Sequence, residues 1–216
     1  MTYFAVLLAF ILSVLFVKIT IVICKKFKLY DEVDPRKIHK GNIPRMGGVG
    51  LFLAYAIVVF LYSFVNEDMD FKFGLPILMG FGIIFVFGLI DDIANLNAKF
   101  KFFVQILAAL AVAVSPVNVH LLLGFELPVW FAKILTFGWI MVCVNAFNLI
   151  DGIDWVCSGI SLLSVVTIGL VVLVGGGNNY ALCFILAGAI TGFMVWNKPP
   201  AKIFLGDVGS QSLGFA

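Results

Sequence analysis

Apolar windows separated by short polar links make up most of this chain. They cover residues 3–24, 47–65, 73–90, 102–119, 129–147, 156–174 and 180–196, and a further window opens near residue 210. Each complete window is close to the ~20 residues that a helix needs to cross a bilayer core, whereas a barrel strand would alternate and run only about ten. Backbone polar groups in lipid must be satisfied within their own segment, so windows of this length predict helices. The expected architecture is an all-α, polytopic transmembrane helical bundle. It has seven complete spans plus the start of an eighth, in one membrane-embedded domain over residues 1–216. Between Ser115 and Pro128, turn residues divide short apolar runs, which predicts a hairpin. Residues 66–70 and 175–179 read as plain connectors.

Composition strengthens this picture. Hydrophobic residues make up 62% of the 216 and charged residues 12%, against roughly 25% charged in a soluble domain. A water-soluble fold could not hide so much apolar surface. The first window has no basic segment before it and is followed by Lys25, Lys26 and Lys28, so it reads as an uncleaved span rather than a secretory signal. Cys24, Cys143, Cys157 and Cys183 show no paired spacing and read as small buried apolar residues.

Charge gives the sidedness. Eleven of the fourteen lysines and arginines fall in three links on the same side: 25–45, 99–101 and 198–202. The positive-inside rule makes that side cytoplasmic and the amino terminus external. Lys18 lies within the first span, near enough to its end to snorkel towards water.

The unusual polar clusters fall on that same side, at residues 34–48, 91–101, 145–154 and 197–207. Carboxylates at a membrane edge are costly, and the default reading is functional. Asp91 and Asp92 are adjacent and repel each other, which favours a nearby cation or a shared proton; Lys99 and Lys101 follow closely. Asn145, Asn148, Asp151 and Asp154 recur every three residues, which on a helix drifts slowly around one face. Carboxylates with amide oxygens suit a hard cation such as Mg²⁺, which takes one or two protein carboxylates plus substrate phosphates. After Pro199-Pro200, Lys202, Phe204 and Asp207 bring a cation, a face on which a base can stack, and a further candidate metal ligand.

Four ordered motifs then stand out. They are Asp34-Pro35-Arg36-Lys37-Ile38-His39 with Pro44-Arg45-Met46-Gly47-Gly48; Gly88 to Asp92 with Lys99; Asn145 to Asp154; and Lys202 to Ser210. With them the chain resembles the polyprenyl-phosphate N-acetylhexosamine-1-phosphate transferases, the superfamily that also contains the phospho-N-acetylmuramoyl-pentapeptide transferase of peptidoglycan synthesis. The Arg-Lys-x-His and Pro-Arg-Met-Gly-Gly elements look more like the branch using UDP-N-acetylglucosamine for teichoic-acid, lipopolysaccharide O-antigen or related surface glycans; the peptidoglycan branch is the alternative.

The resemblance implies a multi-pass enzyme of a bacterial-type plasma membrane, with its active site on the cytoplasmic face. It would transfer a sugar-1-phosphate from a UDP-sugar to undecaprenyl phosphate and release UMP, with Mg²⁺, or Mn²⁺ in its place, as cofactor. Lipid and the two substrates are the implied partners, a homodimer is compatible with the family, and nucleic acid is not implied. Residue by residue, Asn148 and Asp207 would hold the metal, and Asp91 and Asp92 would act at the lipid phosphate. Lys99 or Lys101 would contact phosphate, and Asp154 with Phe204 would face uridine. Arg36, Lys37, His39, Lys40, Asn145, Asp151 and Lys202 complete the implied substrate contacts.

Two departures from the family pattern are visible. Trp155 follows Asp154 where glycine is usual, and could either narrow the nucleotide pocket or pack outward against the sixth span. The sequence also stops at Ala216, inside a span, which reads as truncation at the carboxy-terminal end relative to the family. A transporter would place its polar residues nearer the bilayer midplane on broken helices; an inactive scaffold relative is the other competing class.

Overall fold

The computed structural model describes residues 1–30, 42–66, 74–177 and 179–216. Its elements are α1 (Thr2–Phe27), α2 (Gly47–Val65), α3 (Gly74–Ala94), α4 (Ala98–Ala113), β1 (Leu121–Leu122), β2 (Phe125–Glu126), α5 (Val129–Ile150), α6 (Val156–Val174), α7 (Tyr180–Asn197) and α8 (Gly206–Phe215). The polytopic helical bundle expected from the apolar windows is present, and the hairpin is the antiparallel β1–β2 pair.

Among the described residues, six helices are long and apolar enough to cross a membrane: α1, α2, α3, α5, α6 and α7. The fourth window is the exception, because α4 has only 16 residues. Asn97 starts it early by accepting the Phe100 N–H at 2.8 Å, which draws Lys99 and Lys101 into the helix. It stops at Ala113, where Ser115 turns the chain and accepts the Val117 N–H at 3.1 Å. The window was therefore displaced towards the polar end of the bundle and shortened.

The outer faces are apolar. Phe4, Leu7, Ile11, Leu15 and Ile19 form an exposed stripe along α1 at helical spacing, as expected of a surface that meets acyl chains rather than water. Inside, α1 packs on α2 and α7, α6 packs on α7, and α3, α4 and α5 form a second group. The short α8 contacts α2, α3, α5 and α6, and so joins the two groups. Its approach to α2 is backbone to backbone: a Cβ built on Gly48 would lie 2.2 Å from the Gly209 Cα. Only glycine at both positions permits that contact.

Side chains and backbone link the helix ends into one polar end of the bundle. Residue 45 reaches residue 92, residue 148 reaches 207, residue 155 reaches 197, and Phe204 donates its N–H to the Pro44 carbonyl at 2.9 Å. The last three clusters thus meet in space, together with Arg45 from the first.

Candidate functional site

The site is built around the start of α8. Asp92, in the last turn of α3, reaches across and accepts the N–H groups of Asp207 at 2.9 Å and Val208 at 3.1 Å. Its buried carboxylate thus caps α8 from another helix, satisfying two amides that have no intrahelical partner and lying at the positive end of the helix dipole. Gly206 makes this approach feasible. Its φ is +75°, and a Cβ there would lie 2.5 Å from Asp92 Oδ2. Arg45 anchors the other side of the same turn, donating to the Asp92 carbonyl from Nε at 3.0 Å and from Nη2 at 2.7 Å, and to the Asn95 side chain.

Asp91 points elsewhere. Its Oδ1 accepts the Leu96 N–H at 2.8 Å, and its Oδ2 lies 2.5 Å from the Lys101 ammonium. Lys101 also reaches Asp207 Oδ2 at 3.4 Å, so one cation is shared by carboxylates from two helices. The opposite oxygen, Asp207 Oδ1, is approached by Asn148 Nδ2 at 2.5 Å, and Asn148 also contacts Ser210 Oγ at 3.1 Å. Burial opposes the charge on Asp207, but the Lys101 charge and the Asn148 hydrogen bond outweigh it and hold the carboxyl below its usual range. Burial likewise opposes the Lys101 ammonium, yet the Asp91 hydrogen bond and the Asp207 charge keep its pKa above the ordinary lysine value.

Behind these groups lies a chain of carboxamides in which Asn145 was expected and Gln105 and Gln211 were not. Asn145 donates to Gln105 Oε1 at 2.9 Å, Gln105 donates to Gln211 Oε1 at 3.2 Å, and Gln211 donates to Asp207 Oδ1 at 3.4 Å. Gln105 and Gln211 are buried. An amide four or more residues inside an apolar helix was the available signal, because such groups are kept only when bonded.

Among the described residues no group of three His, Cys, Asp or Glu side chains converges as a metal nest. A hard divalent cation does not require one, since it takes one or two carboxylates and completes its shell from water and phosphate. Asp91 and Asp207 already flank one cation, the Lys101 ammonium, and Asn148 adds a carboxamide. Asp207 and Asn148 are the residues here that could hold such a cation.

The remaining expected residues are spread more widely. Lys99 is exposed in the first turn of α4, so Lys101 is the lysine within the cluster. The three-residue series does not continue on one helical face. α5 ends at Ile150, Asp151 is partly buried at its cap, and Asp154 lies in the following turn. There Asp154 Oδ2 accepts the Ala201 N–H at 3.1 Å, tying the α5–α6 turn to the α7–α8 link. Phe204 is partly buried on a strand-like bridge to Arg45. Lys202 places its ammonium 5.3 Å from the centre of the Trp196 ring. Arg36, Lys37, His39 and Lys40 lie outside the described residues.

Trp155 adopts φ +69° and donates its N–H to Asn197 Oδ1 at 3.0 Å. That left-handed backbone explains why glycine suits the position. The indole reaches α7: its Nε1 donates to the Met194 carbonyl near the end of that helix at 3.0 Å, and the residue is 45% exposed. Trp155→Gly should therefore relieve backbone strain of about 1–2 kcal/mol while losing a half-exposed ring, leaving stability within about 1 kcal/mol of wild type. Trp155→Ala keeps the strain and loses the ring. In thermal unfolding of the purified protein, the alanine variant should melt below the glycine variant; the reverse order would refute this account of the position.

Comparison with known proteins adds an independent line. Residues 74–216 match the family described as glycosyl transferase family 4. A probable undecaprenyl-phosphate N-acetylglucosaminyl 1-phosphate transferase of Bacillus subtilis is 34% identical over 98% of this chain and 61% of its own length. The undecaprenyl-phosphate alpha-N-acetylglucosaminyl 1-phosphate transferase of Thermotoga maritima is 34% identical over 94% of the chain and 60% of its own length. A phospho-N-acetylmuramoyl-pentapeptide-transferase of Listeria monocytogenes is 30% identical over 95% of the chain and 70% of its own length. The chain thus spans about three-fifths of the length of the first two relatives.

Proposed function

Because this chain belongs to glycosyl transferase family 4, we propose that its protein transfers N-acetylglucosamine-1-phosphate from UDP-N-acetylglucosamine to undecaprenyl phosphate, an early membrane step of cell-surface glycan assembly. The observation that carries this reading is the Lys101 ammonium shared by Asp91 and Asp207 at the polar end of an apolar bundle. Two anionic substrates, one of them held by a lipid tail, need such a charged cluster at the membrane edge. The relatives of Bacillus and Thermotoga, named as undecaprenyl-phosphate N-acetylglucosaminyl 1-phosphate transferases, are 34% identical to the chain, against 30% for the phospho-N-acetylmuramoyl-pentapeptide-transferase of Listeria.

In the reaction, an oxygen of the lipid phosphate forms a bond to the sugar-linked phosphorus. The bond from that phosphorus to the UMP oxygen breaks, and UMP leaves with the electron pair. Phosphoryl transfer asks a protein mainly for in-line positioning and neutralisation of charge. Lys101 neutralises phosphate oxygens, and Asp91 orients that ammonium. Asp92 and Arg45 hold the start of α8, and thereby the aim of Asp207. Proton abstraction contributes little, since a phosphate monoester with second pKa of about 6 is mostly ionised at neutral pH. Asp207 and Asn148 would hold a Mg²⁺ ion, which when bound would supply Lewis-acid withdrawal of charge from the diphosphate.

The test uses the full-length reading frame in membranes with undecaprenyl phosphate and Mg²⁺. UMP release is expected with UDP-N-acetylglucosamine and should stop with a chelator. Release only with the UDP-N-acetylmuramoyl-pentapeptide donor would move the protein to the peptidoglycan branch, and release with neither donor would overturn the transferase reading. Cysteine labelling in cells should place the exposed positions 99 and 198 on the cytoplasmic side and positions 68 and 178 outside, as the basic-residue asymmetry predicts. External labelling at 99 or 198 would contradict a cytoplasmic site.

A further inference from the structure

A second basic feature lies apart from the carboxylate cluster. The ends of α1 and α7, together with residues 42–44 and 201–202, wall a cavity of ≈ 380 Å³. Among the described residues its lining includes three lysines, Lys18, Lys25 and Lys202, and no carboxylate. Ile21, Val22 and Trp196 supply an apolar wall beneath them. None of the lining residues belongs to the cluster of Asp91, Asp92, Lys101, Asn148 and Asp207.

Lys18 poses the physical problem. It lies inside a helix that is long and apolar enough to span a membrane, roughly 13 Å along the axis from the last residue, Phe27. Among the described residues neither Lys18 nor Lys25 forms an ion pair. An ammonium at that depth is costly unless it reaches water or an anion. Lys18, Ile21, Val22 and Lys25 follow helical spacing on one face of α1, and side chains of this length can converge over two turns. Lys202 joins them from the α7–α8 link, steadied by the face of Trp196. The result is a basic rim over an apolar wall on the side of the bundle.

We propose that this cavity holds the headgroup of an anionic membrane phospholipid. Its phosphate sits among Lys18, Lys25 and Lys202, and the first carbons of its chains lie against Ile21, Val22 and Trp196. Charge complementarity selects the headgroup, and the position of Lys18 within the span selects a lipid over a soluble anion. The site is independent of the proposed transfer reaction.

The experiment is native mass spectrometry of the full-length protein purified in mild detergent and supplied with phosphatidylglycerol, phosphatidylcholine or undecaprenyl phosphate. The wild type should retain phosphatidylglycerol in preference to phosphatidylcholine. Lys18→Met with Lys25→Met keeps the apolar bulk, and should lower retention roughly tenfold or more, the scale of removing two lysines facing an anionic surface. Val22→Trp keeps every charge but fills the cavity, and should also lower retention. It decides the matter if the lysine variant fails to fold, as judged by its melting curve. Equal retention by the wild type and a folded lysine variant overturns the proposal. So does unchanged binding in Val22→Trp, which would reduce the effect to general surface charge, and so does a larger loss of undecaprenyl phosphate than of phosphatidylglycerol in the lysine variant, which would make the cavity an acceptor site.

Discussion

Asp207→Asn in the full-length protein is expected to lower turnover about a hundredfold or more, the scale of losing a main electrostatic stabiliser of a charged transition state. The substitution keeps shape and hydrogen-bonding capacity but removes one of the two carboxylates around Lys101. Folding should survive, because the capping bonds to α8 use the backbone N–H of residue 207 rather than its side chain. Asn148→Ala removes the group that meets Asp207 Oδ1, and should act through the same centre. The double variant should therefore lose less than the product of the two single losses, as residues sharing one partner are not additive. The measurement is UMP release over a Mg²⁺ titration. Turnover near wild type in Asp207→Asn would remove this carboxylate from the reaction, and full additivity would separate Asn148 from it.

The parts of this architecture that were legible in the sequence are those where composition alone decides. α2 and α6 run over the residues of their apolar windows, because glycine or polar links stop hydrophobicity and helix together. Elsewhere helix and apolar window part company. α3 runs past its window through Asp91 and Asp92, and α5 through Asn148, since helices at the polar end need no lipid-compatible side chains. α8 begins four residues before its apolar window, because its first turn is stabilised by a carboxylate from α3 that no local pattern reveals. The clustering on one side was readable from charge. Which lysine joins the cluster was not, because Lys99 and Lys101 differ in direction around α4 rather than in spacing. Gln105 and Gln211 likewise gain meaning only when α4, α5 and α8 meet. The division of labour between two neighbouring aspartates is also tertiary: Asp91 faces Lys101 and Asp92 faces the α8 amides.

That division leads to the second large effect, at a residue with no reactive group. Gly206→Ala is expected to destabilise the protein by about 3 kcal/mol and to lower turnover at least tenfold. Left-handed backbone costs an alanine roughly 1–2 kcal/mol relative to glycine. The new Cβ would also lie 2.5 Å from Asp92 Oδ2, so the buried carboxylate must move off the amides of Asp207 and Val208. Weakening hydrogen bonds to a buried charge adds about 1.5–3 kcal/mol at full loss. Activity falls for a separate reason, because displacement of this turn re-aims Asp207 relative to Lys101, and small misplacements of catalytic groups are costly. Asp92→Ala distinguishes the two contributions. In that background the clash is gone, so adding Gly206→Ala should cost only the backbone strain, roughly 1–2 kcal/mol. Thermal unfolding of the two single variants and the double variant measures this coupling directly. If Gly206→Ala costs the same with and without the Asp92 carboxylate, then Asp92 is not what fixes the start of α8, and the positioning role assigned to it fails.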